Sequence, residues 1–294
     1  MCLNKNVCIL QGHHECQEVG TVILQHMKYE HIYDQGLGKL NEDAWLAQGN
    51  IFAVFDGATG VSKYENEEGK TGGYLAANIA RETLMQEEGS LKNGFIHANI
   101  NIKKAIEDSS MDSSKKSDLW VTSAAAVKIS GNKMEWAQIG DCLILLINQD
   151  GSNRLLVDDY DHDRETLSLL QSLLMQKVEN PRERLFDQMT KASETINVTH
   201  GALNGEEAAA SFINSGIEDL SDVKNILLFT DGLFLPKENP AEKDDFNTFV
   251  QIFKEKGLMG IQTYVRTREE ADKQIVTYPR FKIHDDIAAI AITL

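Results

Sequence analysis

Residues 40–60 read LNEDAWLAQGNIFAVFDGATG, and this stretch decides the fold. The acidic pair Glu42 and Asp43 precedes a short apolar run that ends in Asp56 and Gly57. A short apolar run bounded by turn residues is typical of a buried strand. The pattern therefore predicts a strand that carries an aspartate to its own end. There the carboxylate leaves the core, and the neighbouring glycine lets the backbone approach a ligand.

The same arrangement returns further along the chain. NILLFTDG, from Asn225, is a second apolar run that ends in Asp231 and a glycine, and IHDDIAAIAITL is a last predicted strand entered through Asp285 and Asp286. Another aspartate, Asp141, follows a glycine between two predicted strands. One Asp-Gly alone is more often a turn than a ligand. Two of them, together with Glu-Asp and Asp-Asp pairs, favour a common site.

Converging carboxylates predict a bound cation, because carboxylates a few ångströms apart repel one another or must take up protons. Oxygen ligands select Mg²⁺, Mn²⁺ or Ca²⁺. The chain has no Asp-x-Asp-x-Asp-Gly run, which excludes an EF-hand calcium loop. An aspartyl-nucleophile phosphatase needs a second aspartate two residues after the first, and Ala58 and Leu233 stand there instead. A phosphate-binding P-loop is excluded because Tyr64 stands where its first glycine would precede GKTGG.

The order of the predicted elements favours an α+β fold with antiparallel sheets, because strands and helices occur in blocks and do not alternate strictly. The predicted strands are TVILQHMKYEHI, NIFAVFDG, LWVTSAAAVKI, KMEWAQIGD, CLILLINQDG, NILLFTDG and IHDDIAAIAITL, and the third to fifth of them read as an antiparallel meander. The predicted helices are GGYLAANIARETLMQEE, GFIHANINIKKAIED, DHDRETLSLLQSLLMQKV, DDFNTFVQIFKEKG and TREEADKQIV.

The composition fits one globular domain. No Pro/Gly/Ser-rich linker divides residues 1–294, so we expect a single domain. A net charge of −16 argues against a nucleic-acid partner. No apolar run approaches the ~20 residues of a membrane helix, and the N-terminus has no secretory signal, so we expect a cytoplasmic protein with no membrane partner. Residues 1–20 are expected to be irregular, and their cysteines and histidines favour free thiols over a soft-metal site.

Four motifs resemble the PPM (type 2C) family of metal-dependent protein phosphatases, in particular its bacterial members. The opening stretch resembles the first family signature, and VTSAAAVKISGNKMEWAQIGDC resembles the family's threonine/serine-alanine strand with its Gly-Asp hairpin. ILLFTDGLF and HDDIAAIAI resemble the Asp-Gly-Leu and Asp-Asn-Ile signatures, and all four occur in family order. The resemblance implies an α-β-β-α sandwich with metals in a cleft at one edge. It also implies a variable flap at about residues 161–215.

The resemblance implies a set of metal ligands for two Mn²⁺ or Mg²⁺ ions. Asp56 would bridge the two ions, and the carbonyl of Gly57 would bind one of them. Asp231 and Asp285 would ligate the other ion. Glu42 would reach the second ion directly or through water.

The resemblance implies further roles for nearby acids. Asp43 would act in catalysis by hydrogen-bonding metal-bound waters, and Asp141 would serve a weaker third metal site with Asp231. Asp285 and Asp286 stand where the family usually has Asp-Asn. Either could be the ligand, with Asp285 the first choice.

Two family features are absent. Many members carry a histidine after the first Asp-Gly as the acid for the leaving group, and here the residue is Ala58. Loss of general acid catalysis typically costs ~10²–10⁴-fold in rate. The phosphate-binding arginine expected before the acidic pair is also missing, and Lys39 is the nearest cation. Lys63 and Lys70 are the alternatives for phosphate binding.

The implied function is hydrolysis of phosphomonoesters by a water that bridges two metal ions ~3.5–4 Å apart. The expected substrate is phosphoserine or phosphothreonine on a protein, which implies a role in signalling. One alternative is a catalytically inactive relative that acts as a regulatory binding module. The missing arginine and histidine favour this alternative, and the complete set of acids argues against it. The other alternative is a phosphatase of small phosphorylated molecules.

Overall fold

The computed structural model of the chain describes residues 21–24, 27–60, 64–109, 114–158 and 160–294. Residues 1–20, predicted to be irregular and to carry free thiols, lie outside this part of the chain. The strands are β1 (Thr21–Leu24), β2 (Met27–Asp34), β3 (Ala44–Gln48), β4 (Ile51–Ala58), β5 (Val121–Ser130), β6 (Lys133–Ile139), β7 (Leu143–Asn148), β8 (Asn153–Leu155), β9 (Asn214–Asp219), β10 (Val223–Phe229) and β11 (Ile287–Thr293). The α-helices are α1 (Gly72–Met85), α2 (Leu91–Asp108), α3 (Arg164–Met175), α4 (Pro181–Thr195) and α5 (Phe246–Ala271).

Two antiparallel sheets form the centre of the fold. One has six strands in the order β1-β2-β11-β10-β7-β8, and the other has five in the order β3-β4-β5-β6-β9. The sheets share one apolar core between their facing surfaces. Helices α1 and α2 cover the outer face of the five-stranded sheet, and α5 covers that of the six-stranded sheet. The predicted α+β fold, an α-β-β-α sandwich, is confirmed.

Strand β4 shows why the decisive stretch is an unbroken apolar run. Successive side chains of a strand point to opposite faces. Phe52 and Val54 pack into the core between the sheets, whereas Ala53 and Phe55 pack against the helices. All four are fully buried, and burial of each phenylalanine stabilises the fold by about 1.5–3 kcal/mol. The apolar run ends at Asp56, where the strand reaches the end of the sandwich.

The predicted meander is wrong at its third strand. Strands β5 and β6 pair as a hairpin, but β7 lies in the other sheet, beside β10. Gly140, in the turn between β6 and β7, has a φ of +75°, which favours glycine. A Cβ atom at this position would lie 2.2 Å from Oγ of Ser123. The chain therefore crosses from one sheet to the other here, and the crossing positions Asp141.

Other elements differ from the sequence prediction in number and length. TVILQHMKYEHI forms two paired strands, β1 and β2, where one strand was predicted. The first predicted C-terminal helix and the start of the second belong to one helix, α5, which Gly257 interrupts with a φ of +66° and which ends at Ala271. Helix α4 was not predicted, because Leu185 is the one buried residue among its described side chains and its apolar periodicity is weak. None of the described helices is long and apolar enough to cross a membrane.

Candidate metal centre

Most of the predicted site residues meet in one cleft at an end of the sandwich. Asp56 lies at the end of β4, Asp231 follows β10, and Asp285 precedes β11. Since β10 and β11 are paired and β4 lies in the facing sheet, these three loop ends converge. The predicted residues that line the cleft are Glu42, Asp56, Gly57, Asp141, Asp231 and Asp285.

Asp43 lies beneath the cleft and is 2% exposed. Its carboxylate accepts a 2.7 Å hydrogen bond from Oγ1 of Thr230, and its backbone N–H donates to Asn41 at 3.0 Å. Oγ1 of Thr230 also accepts a 2.9 Å hydrogen bond from the backbone N–H of Ala288. Asp43 is therefore held in one orientation by the loop after β10 and the start of β11.

The carboxylates of the neighbouring residues Asp285 and Asp286 have different partners in the structure. Asp286 is 5% exposed, and its two oxygens accept backbone hydrogen bonds from Gly36 at 2.7 Å and Glu42 at 2.8 Å. Asp285 faces the cleft, where its carboxylate pairs with the ammonium group of Lys282. The guanidinium of Arg266 donates a 2.6 Å hydrogen bond to the backbone carbonyl of Asp285. Asp286 thus braces the loop before β3, and Asp285 is the carboxylate that points toward the other acids.

Two threonines that the sequence analysis missed hold Glu42. Thr59 and Thr71 both donate hydroxyl hydrogen bonds to Oε1 of this carboxylate. Thr71 is also the N-cap of α1 and accepts a 3.3 Å hydrogen bond from the backbone N–H of Tyr74. Its position before an amphipathic helix is the signal that could have identified it.

Gly57 allows a close approach of backbone segments at the site. A Cβ atom here would lie 2.3 Å from the carbonyl oxygen of Gly73 and 2.5 Å from that of Glu42. Any side chain would therefore push β4 away from the start of α1 and from the acidic pair. This close approach explains why the position is a glycine. That its carbonyl binds a metal stays a prediction.

Burial and mutual repulsion act on the central carboxylates. Burial raises the pKa of Asp56 well above its usual value, and the carboxylates of Asp231 and Asp43 raise it further. The pKa of Asp231 is raised to about 8, first by burial and then by Asp285 and Asp141. Such a group must bind protons or a cation at neutral pH. Because the donors are carboxylate oxygens, the site fits a hard cation such as Mg²⁺ or Mn²⁺.

A second cluster lies beside these acids, and the sequence analysis missed two of its members. Among the described residues, the group of three ligating side chains whose ligand atoms all lie within 4.8 Å of one another is Asp141, His162 and Asp163. Burial alone would lower the pKa of His162, but Asp141 and Asp163 raise it above its usual value. Burial raises the pKa of Asp163 to about 6. The signal in the sequence was the Asp-His-Asp run that opens the third predicted helix.

The lysines near the site differ in whether they line the cleft. Lys39 is 82% exposed, forms a 3.4 Å ion pair with Glu65 and is not among the cleft-lining residues. Lys70 pairs with a neighbouring glutamate at 2.7 Å, and Lys63 lies outside the described residues. Lys282, which the sequence analysis did not consider, lines the cleft beside Asp285.

We expect the melting temperature (Tm) gained on adding Mn²⁺ to increase by a few degrees from pH 6 to pH 8. An unfolded aspartate ionises near pH 4, whereas buried Asp231 keeps its proton until about pH 8 in the metal-free fold. Asp231 therefore contributes its full stability to the metal-free fold only below pH 4, and this contribution falls by about 2 kcal/mol between pH 6 and pH 8. A bound cation replaces the proton and prevents this loss.

Calorimetry with Mn²⁺ and with a chelator at both pH values measures this gain. The variant Asp231→Asn is the control, since its gain should vary less with pH. An equal gain at pH 6 and pH 8 for the unmodified protein would contradict the argument.

A two-sheet sandwich with a cleft of buried aspartates at one end is the architecture of a metal-dependent phosphatase. The family model described as Protein phosphatase 2C matches residues 30–266, and the chain belongs to this family. A search of curated proteins gave no significant match.

Solved structures of bacterial phosphatases share the fold. The Mycobacterium tuberculosis serine/threonine phosphatase PstP/Ppp has a TM-score of 0.53 and 19% identity, over 91% of this chain and 98% of that one. The catalytic domain of PstP in complex with two manganese ions has a TM-score of 0.54 and 18% identity, over 91% and 97%. Stp1 from Staphylococcus aureus has a TM-score of 0.55 and 16% identity, over 97% and 99%. At these identities the likeness establishes the shared fold.

Proposed function

We propose that the protein is a Mn²⁺- or Mg²⁺-dependent phosphatase of phosphoserine and phosphothreonine on proteins. The observation that carries this proposal is the convergence of Asp56, Asp231 and Asp285, from three distant segments, in one cleft. Membership of the protein phosphatase 2C family supports the reaction type, and the manganese complex of PstP supports the choice of cation.

Each residue of the centre has a proposed part in holding the ions. Asp56, Asp231 and Asp285 would bind them through carboxylate oxygens, with the Gly57 carbonyl and Glu42 completing the ligands. When bound, two such ions supply an activated water for attack on phosphorus and positive charge for the phosphoryl oxygens. The threonine hydroxyls fix Glu42 before any ion binds, so the site needs little rearrangement.

Asp43 and Asp286 would support the site without binding the ions directly. The hydrogen bond from Thr230 fixes the carboxylate of Asp43, which can then accept hydrogen bonds from water in the cleft. Asp286 already uses both oxygens for backbone N–H groups, so we propose that it is a brace and not a ligand. At the position of the usual histidine, Ala58 offers no proton to a leaving group.

We propose that Lys282 binds the substrate phosphate in place of the missing arginine. It is a cation within the cleft, and the carboxylate of Asp285 holds its ammonium group close to the metal ligands. Lys39, the residue that the sequence predicted, is directed to Glu65 instead. Lys116 also lines the cleft, but its ammonium group is paired with Glu206 at 2.9 Å.

Replacement of Lys282 by alanine should raise the KM for a phosphopeptide about 10-fold. A hydrogen bond to a charged group contributes about 1.5–3 kcal/mol, and 1.4 kcal/mol corresponds to a factor of ten. Lys39→Ala is the matched control and should change KM less than about twofold, as expected for an exposed pair. A large effect of Lys39→Ala with none for Lys282→Ala would restore the sequence prediction.

We also propose that the variable region at about residues 161–215 contributes a flap over the cleft, formed by α3 and α4, within a single catalytic domain. The last part of this region packs in the sandwich, where Leu203, Ala209 and Ile213 join the core beneath α1 and α2.

Helix α4 lines the cleft with Met189 and Ala192, and Ile196 lines it directly after the helix ends. Helices α3 and α4 share a small apolar cluster centred on Leu170 and Leu185, separate from the three cores of the sandwich. Displacing a segment that has only a small core of its own costs less free energy than displacing a strand of the sandwich.

The test is phosphate release from a phosphothreonine peptide and from an aryl phosphate, each with Mn²⁺, with Mg²⁺ and with a chelator. Metal-dependent release from both substrates supports a protein phosphatase. Release from the aryl phosphate alone supports a small-molecule phosphatase, because that leaving group needs no proton. Metal binding without turnover of either substrate overturns the proposal in favour of a binding module.

A further inference from the structure

We propose that a pocket beside the metal cleft binds a phenylalanine side chain of the phosphoprotein substrate, close in sequence to the phosphorylated residue. Rings and other apolar side chains line this aromatic pocket, among them those of Tyr160, Leu167, Phe234, Pro236, Tyr278 and Phe281. The proposal rests on the protein phosphatase function proposed above and adds a sequence preference to it.

The aromatic pocket and the metal cleft share part of their walls. Asp231, Phe281, Lys282 and Asp285 line both cavities. The loop after β10 and the loop before β11 each supply a proposed metal ligand and also side chains of the pocket. An extended peptide advances about 3.3–3.6 Å per residue, so a side chain about one to three positions from the phosphorylated residue can reach a cavity that borders the cleft.

The size of the aromatic pocket matches one phenyl ring. Its volume is about 150 Å³. In another protein, an engineered apolar cavity of about 150 Å³ binds benzene. A phenylalanine ring therefore fits the pocket, whereas an alanine side chain leaves most of this volume to water.

Hydrogen bonds and ring contacts hold the walls of the aromatic pocket in place. The hydroxyl of Tyr160 donates a 2.7 Å hydrogen bond to Asp244, and its ring packs edge-to-face on Phe234 with 5.7 Å between ring centroids. In the loop before β11, the backbone N–H of Tyr278 donates a 2.8 Å hydrogen bond to Asp272. A preformed pocket needs little ordering when a ligand enters, so more of the free energy of burial contributes to binding.

The charges in the wall of the aromatic pocket favour a neutral occupant. Apart from the side chains shared with the metal cleft, the charged side chains of the wall are already ion-paired. The pairs are Lys237 with Asp244 at 3.2 Å and with Asp161 at 3.5 Å, Arg280 with Asp272 at 3.1 Å, and Glu269 with Arg266 at 2.9 Å. A charged substrate side chain would have to compete with these pairs, whereas a phenyl ring leaves them intact.

Kinetics with phosphothreonine peptides and Mn²⁺ test the aromatic pocket on the full chain. One peptide has alanine at the three positions on each side of the phosphothreonine, and six others each replace one alanine with phenylalanine. At the best position, phenylalanine should raise kcat/KM at least about 10-fold, as expected for burial of a phenyl ring. Lysine at that position should give a smaller gain, and a larger gain for lysine than for phenylalanine would overturn the proposal.

Two variants alter the aromatic pocket without replacing a proposed metal ligand. Leu167→Trp fills the pocket, and Tyr278→Ala removes one of its rings. Each should lower the ratio of kcat/KM for the phenylalanine and alanine peptides to less than about twofold, and this ratio is independent of any general loss of active protein. Tyr264→Ala is the matched control and should keep the ratio, because Tyr264 lies on α5 outside the pocket wall. A ratio that both pocket variants retain would overturn the proposal.

Fluorobenzene separates the aromatic pocket from the phosphatase function. The ¹⁹F resonance of fluorobenzene should broaden in the presence of the unmodified protein, and Leu167→Trp should remove this broadening whether or not phosphate is released. Equal turnover of the phenylalanine and alanine peptides, or broadening that Leu167→Trp leaves unchanged, would overturn the aromatic pocket alone. Broadening that the variant removes, with no turnover of any peptide, would support the pocket and count against the proposed function alone.

Discussion

Asp56→Asn is expected to lower metal-dependent phosphate release by at least about 10³-fold and to abolish most of the Tm gain on adding Mn²⁺. Asp56 lies at the centre of the acidic cluster, where burial and the carboxylates of Asp231 and Asp43 raise its pKa. Asparagine keeps the shape of the side chain but removes the charge that a cation needs. Loss of a cation that stabilises the charge on the reacting phosphoryl group typically raises the free energy of the transition state by several kcal/mol.

The chain offers a matched control for this variant. Asp150 also precedes a glycine, but its carboxylate accepts hydrogen bonds from the backbone and hydroxyl of Ser152 in an exposed turn. Asparagine serves equally well in such turns. Asp150→Asn should therefore leave the rate and the Mn²⁺-dependent Tm within error of the unmodified protein. A similar rate for Asp56→Asn and Asp150→Asn would show that the carboxylate is not a ligand.

The second large effect concerns the adjacent residues Asp285 and Asp286. We expect replacement of Asp286 to lower stability and replacement of Asp285 to lower metal affinity. Asp286→Ala should lower the free energy of unfolding by about 3 kcal/mol, because two backbone N–H groups lose their shared acceptor. That corresponds to a fall in Tm of roughly 6–12 °C. Asp285→Asn should change the metal-free Tm little and lower the Mn²⁺ affinity at least about 10-fold, because this carboxylate faces the cleft.

Urea denaturation with chelator and calorimetric titration with Mn²⁺ measure the two quantities separately. Asp286→Asn is an informative companion, since its one remaining acceptor oxygen should recover part of the stability lost in the alanine variant. If Asp286→Asn weakens Mn²⁺ binding while Asp285→Asn does not, then the assignment of brace and ligand must be exchanged.

Much of the fold could be predicted because its signals are local. Strand β4 is an apolar run with an aspartate at its end, and helix α1 has a threonine cap and an apolar face. These patterns depend on neighbouring residues, which is why the α+β prediction is confirmed. Helix α4 was missed because its apolar face is small, and the placement of β7 was wrong because hairpin signals do not specify the sheet to which a strand belongs.

The sequence by itself determined an α+β fold with antiparallel sheets and placed acids beside strand ends, and the family resemblance implied the sandwich. Only the tertiary structure decided what each acid does there. Asp286 is occupied by backbone groups of Gly36 and Glu42, which lie 250 and 244 residues away along the chain. The approach of His162 to Asp141 likewise depends on how the segment before α3 packs against the sandwich. Hydrogen bonds and burial of this kind arise between distant segments, so no local pattern can encode them.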